Sequence, residues 1–160
     1  MTKTRVEQYL EEKAIPFEVI DLASVEETDF LSALAAKGLS ADLVCKNLVL
    51  KGDKTGIIIA LVPLNARLDY KKTREITKNH KVGLPDMDFV FAHTGYVHGA
   101  NTPIGIKLQH PEDLFVFDHS LKKQSKLLIS SGELGRGILL ARTDLDAIVE
   151  PTYADLIKGS

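Results

Sequence analysis

The run Ile57-Ile58-Ile59-Ala60-Leu61-Val62 carries six apolar side chains in succession. Side chains alternate between faces along a strand, so an unbroken apolar run is a strand buried on both faces. Just before it, Lys51-Gly52-Asp53-Lys54-Thr55-Gly56 reads as a turn. Before that, Val44-Cys45-Lys46-Asn47-Leu48-Val49-Leu50 reads as a second strand. Together they predict a hairpin. Residues of one parity share a face, so Lys46 points with Val44, Leu48 and Leu50 toward the apolar side. A lysine there must snorkel, pair, lose its charge or sit at the mouth of a cleft.

The rest of the chain alternates helix and strand signals. Residues 4–14 read as an amphipathic helix, with Thr4 and Glu7 at capping-box spacing and Val6, Tyr9, Leu10 and Ala14 on one side. Pro16 ends it, and Phe17 to Ile20 alternates toward a strand. Thr28 or Asp29 caps a helix over Phe30 to Lys37, which Gly38 terminates. Asp69 caps a basic surface helix from Tyr70 to about Asn79. Pro85 and Asp86 can start a short helix through His93, while Phe89-Val90-Phe91 also fits a strand; both readings stay open here. Strands are expected near Ile104–Leu108, Leu114–Phe117, Lys126–Ser130 and Ile138–Leu140. Ser130 to Gly137 reads as a flexible glycine loop. Thr143 or Asp144 caps a helix to Val149, and Pro151 starts a last one ending near Lys158. This pattern, without repeats, predicts a mixed α/β fold in a single domain over 1–160.

At 160 residues one domain is the simplest organisation. The formal charge of −2 argues against a globally basic nucleic-acid binder. It leaves room for local basic faces at Lys71, Lys72, Arg74, Lys78 and Lys81, and at Lys122, Lys123 and Lys126. The lone cysteine, Cys45, excludes an intrachain disulfide and suits a reducing compartment. No signal core and no membrane-length apolar run is visible, so a cytoplasmic protein without a membrane partner is expected. The five histidines lack metal-ligand spacing, and no metal or other cofactor is expected.

The stretch Gly95 to Lys107 carries three glycines and a proline among aliphatic residues. Such a loop has a dictated shape, leaves space and presents backbone N–H groups. A tight turn between strands is the plainer alternative. Gly132, Gly135 and Gly137 match neither a Walker sequence nor a dinucleotide fingerprint. Ser130 and Ser131 lack a nucleophile elbow.

Three of these stretches, in this order and spacing, resemble the YbaK/EbsC family of prolyl-tRNA editing domains. They are Val44-Cys45-Lys46-Asn47-Leu48-Val49, then Gly95 through Gly105 with its Gly99-x-x-x-Pro103 motif, then Ile129-Ser130-Ser131-Gly132 before Gly135. The resemblance spans nearly the whole chain. It implies a compact mixed α/β domain with a bent, barrel-like sheet surrounded by helices. It implies a trans-editing deacylase that hydrolyses the ester of a mischarged cysteine or alanine on tRNA(Pro), the cysteine branch by thiol-assisted, lyase-type cyclisation. It implies the aminoacylated acceptor end of tRNA(Pro) as substrate and prolyl-tRNA synthetase as a partner. Lys46 matches the family's essential lysine. Gly99, Ala100, Asn101, Thr102 and Pro103 match the loop around the aminoacyl group, and Ser131 and Gly132 the glycine segment across from it. Two positions depart from the cysteine-specific branch: Leu22 aligns with a tyrosine, and Gly137 with an acidic residue. The departures motivate an alternative, a non-catalytic module that binds tRNA or prolyl-tRNA synthetase.

Overall fold

The computed structural model describes residues 2–21 and 30–159. Leu22, Thr28 and Asp29, singled out above, lie outside the described residues. The elements run α1 (Arg5–Glu12), β1 (Phe17–Asp21), α2 (Phe30–Ala36), β2 (Cys45–Gly52), β3 (Gly56–Pro63), α3 (Tyr70–Thr77), β4 (Val82–Gly83), α4 (Met87–Thr94), α5 (Pro103–Gln109), β5 (Leu114–Asp118), β6 (Lys126–Glu133), β7 (Arg136–Ala141), α6 (Arg142–Val149) and β8 (Thr152–Ala154). One sheet has the order β4-β2-β3-β5-β8 and the other β1-β7-β6. β2 and β3 form the expected antiparallel hairpin, while β5 runs parallel to β3 and β8 parallel to β5.

The double-sided burial of β3 is complete. Ile59 and Leu61 enter a core between the two sheets, with Phe117 of β5, Ile129 of β6 and Ile138 of β7. Ile58, Ala60 and Val62 enter a second core on the other face, with Leu50, Leu68 and Leu156. Each large aliphatic side chain so buried contributes about 1.5–3 kcal/mol over leaving it exposed. α1 adds Val6 and Leu10 to the first core, held by the Thr4 cap, whose Oγ1 accepts the Glu7 N–H at 3.2 Å. Asp69 and Asp86 cap α3 and α4 by accepting the N–H groups of Lys72 and Phe89. The Asp86 cap, with Gly95 in the left-handed region at φ +76°, makes Phe89-Val90-Phe91 part of a helix.

Five expectations are corrected. The sheets are open rather than barrel-like: among the described residues their backbones pair only at the Val44–Leu128 bridge, and β1, β4 and β8 stay at edges. Ile104–Leu108 lies in a helix, because Pro103 occupies the first helical position with φ already suited to it and Thr102 sits at the cap. Ser130–Gly137 is a hairpin between β6 and β7 with an irregularity between Ser130 and Glu133, not a flexible loop. The segment after Pro151 is the parallel edge strand β8, its backbone paired to Val116–Asp118 of β5. α6 begins after Ala141 without a side-chain cap.

Candidate functional site

β2 has β3 along one edge. On its other edge β4 pairs only with Lys51 and Gly52, and the Val44 bridge closes the opposite end. Between them, Cys45 to Leu50 has no strand partner on that edge among the described residues. A cavity of about 850 Å³ opens there. Because it wraps a strand edge, residues of both parities reach it, including Lys46 and Asn47. The glycine stretch supplies Tyr96, Gly99, Asn101 and Pro103, and β6 supplies Ser130. α4 and the residues before it give the mouth an apolar rim, with Leu84, Met87 and Phe91 all exposed.

Lys46 is half-buried and is the one lysine or arginine among the lining residues. No carboxylate pairs with it among the described residues. The lone lining carboxylate, Asp88, is exposed on α4. Both polar atoms of the Asn47 amide are buried and without a hydrogen-bond partner. Leaving such atoms unpaired costs about 1–3 kcal/mol, so the arrangement favours a ligand that completes them. Ser130 Oγ donates to the Ala100 carbonyl at 2.9 Å and accepts the Gly132 N–H at 3.1 Å. It ties the glycine stretch to β6. Gly99 takes φ +87°, and a Cβ there would stand 3.2 Å from Leu134 at the tip of the β6–β7 hairpin. The loop is thus held from both ends and from above.

Burial pushes the Cys45 thiol well above its ordinary range, so at neutral pH it is not a thiolate nucleophile. Burial also raises the Tyr96 phenol. The chain does contain a histidine–carboxylate pair, His93 Nε2 to Asp113 at 2.7 Å, with His110 stacked on His93. Neither histidine lines the cavity.

The structure brings Lys46, Gly99, Asn101 and Pro103 together on the cavity. The other expected residues lie behind its wall. Ala100 is buried and contributes its carbonyl to Ser130. Thr102 is fully buried, with its hydroxyl unpartnered and its methyl near Gly105 and Gly132. Gly132 takes φ +114° beneath the Tyr96 ring. Ser131 points the other way, to the Glu7 carboxylate. There Arg136 donates to both Glu7 oxygens at 2.7 Å and Thr4 Oγ1 donates at 3.0 Å. The Arg136 guanidinium and the two hydroxyls hold the Glu7 carboxyl down to about 2 despite burial. Asn47 and Tyr96 were not singled out in the sequence; the available signal was their position inside the two stretches that carry the resemblance. Gly137 sits in β7 between β1 and β6, where a Cβ would approach Leu128 to 3.0 Å.

The comparisons with known proteins bear on the family and the fold. The family model described as the aminoacyl-tRNA editing domain matches residues 26–148. An Enterococcus faecalis protein provisionally named Cys-tRNA(Pro)/Cys-tRNA(Cys) deacylase EbsC is 31% identical over 157 residues, spanning 96% of this chain and 93% of that protein. A crystal structure of a protein provisionally described as a trans-editing enzyme for prolyl tRNA synthetase superposes with a TM-score of 0.81 at 24% identity, over 97% of this chain and 96% of that one. A scaffold from computational epitope grafting gives the same TM-score at 22% identity, over 98% and 96%. At these identities the two structures speak to the fold alone.

Proposed function

The chain belongs to the aminoacyl-tRNA editing domain family, and from that membership we propose that it is a trans-editing deacylase acting as one domain over 1–160. Its substrate is a small mischarged amino acid, cysteine or alanine, esterified to tRNA(Pro). The name of the Enterococcus relative supports this substrate class. The observation that carries the reading is Lys46, a cation without a carboxylate partner among the described residues, on a cavity that the Asn47 amide, unpartnered among them, also lines.

The chemistry asks little of the protein. An aminoacyl ester is already activated relative to an amide, so the site has to orient a water and stabilise developing negative charge. Lys46 polarises the ester carbonyl or holds the terminal adenosine phosphate. Stabilising the developing oxyanion falls to backbone N–H groups of the glycine loop other than that of Ala100, which donates to the Val97 carbonyl; removing one such donor costs about 10²–10³ in rate. Asn47 offers one donor amide and one acceptor oxygen to the amino acid. Ser130 is committed to Ala100 and Gly132, so it holds the loop rather than attacking.

With a cysteinyl substrate, the substrate's own thiol serves as nucleophile. Its sulfur bonds to the carbonyl carbon, the C–O ester bond breaks, and the thiol proton passes to the departing ribose oxygen. The thiolactone is then opened by water. Prolyl-tRNA synthetase, which holds proline tRNA, is the partner expected to deliver the substrate.

A deacylation panel tests the reading. Proline tRNA is charged separately with cysteine, alanine, serine and proline, and mixed with wild type and Lys46→Ala. Release of cysteine or alanine with proline spared, and a loss of about 10²–10³ in kcat/KM in the variant, is the expected result. Release at the spontaneous rate from every substrate, with and without prolyl-tRNA synthetase, moves the cavity to tRNA-end binding without catalysis.

A further inference from the structure

Tyr96 is wedged where two glycines make room for it. A Cβ on Gly105, in the first turn of α5, would lie 1.9 Å from the Tyr96 hydroxyl oxygen and 2.7 Å from Cζ. A Cβ on Gly132, in β6, would lie 3.1 Å from Tyr96 Cε1. The Thr102 methyl closes the same gap, 2.8 Å from the Gly105 position and 3.9 Å from the Gly132 position. The ring is therefore pinned between α5 and β6, elements that share the main core through Ile104, Ile106 and Ile129. Its backbone is fixed too, since the Tyr96 N–H donates to Thr94 Oγ1 at 3.0 Å. Thr94 is itself buried and bonded to the Val90 carbonyl. A side chain held in this way cannot swing aside for a ligand without moving a helix or a sheet.

The same ring lines the cavity that Gly99, Asn101, Pro103, Lys46 and Asn47 also line. Contrast the mouth, where Met87 and Phe91 are exposed on one helix and free to adjust. We propose that Tyr96 is the specificity-determining gauge of this site: it fixes how deep the cavity runs and so the largest amino-acid side chain accepted. This rests on the deacylase reading above. Its physical basis is that close-packed walls exclude volume strictly, whereas an open apolar pocket separates side chains by only about 10–200-fold per methylene.

The test uses the full chain and two readouts. The first is kcat/KM on one tRNA charged with alanine, cysteine, valine, leucine or phenylalanine. The second is calorimetric binding of the matching amide-linked 3′-aminoacyl-adenosines, which cannot be hydrolysed. Tyr96→Ala is expected to raise leucine and phenylalanine relative to alanine by at least tenfold in both. Tyr96→Phe, which keeps the ring, is expected to keep the wild-type order of preference. If Tyr96→Ala does not unfold cooperatively, Tyr96→Leu carries the same expectation for phenylalanine. A folded variant without the ring that retains the wild-type order overturns the gauge and leaves the deacylase reading standing. A wild type that neither hydrolyses any ester nor binds any analogue overturns both.

Discussion

Ser130 and Ser131 are neighbours on β6 and belong to opposite faces. On the Ser131 face the Glu7 carboxylate is engaged on both oxygens. Glu7 takes two bonds from Arg136, with the hydroxyls of Thr4 and Ser131 completing its oxygens. On the Ser130 face, among the described residues, Lys46 has no carboxylate partner and neither amide atom of Asn47 is bonded. Both sets are largely buried and within one strand of each other. A carboxylate engaged by a guanidinium and two hydroxyls holds α1 to β6 and β7. An unsaturated set costs stability unless a partner completes it. Identity of residue type does not separate the two cases, since both faces carry serine and a charged side chain.

The largest expected effect sits on the saturated face. Glu7→Ala removes the bidentate partner of Arg136 from a site where Glu7 is 1% exposed. Breaking a buried pair from one side typically costs about 3–5 kcal/mol. Urea unfolding of the variant should register a loss of that size, and a loss below about 1 kcal/mol would mean that the cluster is ornamental.

The second effect is smaller and depends on pH. The Glu7 carboxyl is depressed from 4.5 to about 2 in the folded protein. A depressed carboxylate stabilises fully above its unfolded value, and the contribution disappears as pH falls through the folded one. The window is therefore from pH 4.5 down to about 2, and the amount is about 3 kcal/mol. Unfolding followed across that window should show the decline in wild type and a flatter profile in Glu7→Gln. Parallel profiles would assign acid sensitivity to other carboxylates.

The contrast between the two faces was only partly legible in the sequence. Local signals carried well: the apolar run at Ile57 to Val62 dictated a strand buried on both sides, and Thr4 and Glu7 announced the first helix cap. The parity of Lys46 placed it with Leu48 and Leu50. What failed depended on distant chain. Ile104-Gly105-Ile106 alternates like a strand, but Gly105 is small because the Tyr96 hydroxyl occupies its space. Ser131 shares the glycine segment with Ser130, yet its partner Glu7 is 124 positions away. Asn47 has the wrong parity to stand with Lys46 on a covered strand. It joins the cavity because β4 stops after two residues and leaves the edge of β2 bare, which nothing near Asn47 encodes.

Asn47 also gives the sharpest test of the contrast, although its expected stability effect is the smallest. Replacing an unpaired buried amide by an apolar group of similar shape is close to neutral, or stabilising by about 1 kcal/mol, because the desolvation cost disappears with the amide. Asn47→Leu should thus unfold at the wild-type urea midpoint or slightly above it, while its kcat/KM on the esters that wild type hydrolyses falls by about 10-fold or more, the worth of one lost polar contact to substrate. Stability and activity would then move in opposite directions at one residue. On the Ser131 face a substitution lowers stability first, and activity only as the fold is lost. A variant that loses 2 kcal/mol or more at Asn47 would mean that the amide is bonded within the fold, and the two faces of β6 would no longer differ in kind. A variant that is stable and fully active would leave Lys46 and the backbone of the Gly99–Pro103 turn to account for substrate recognition alone.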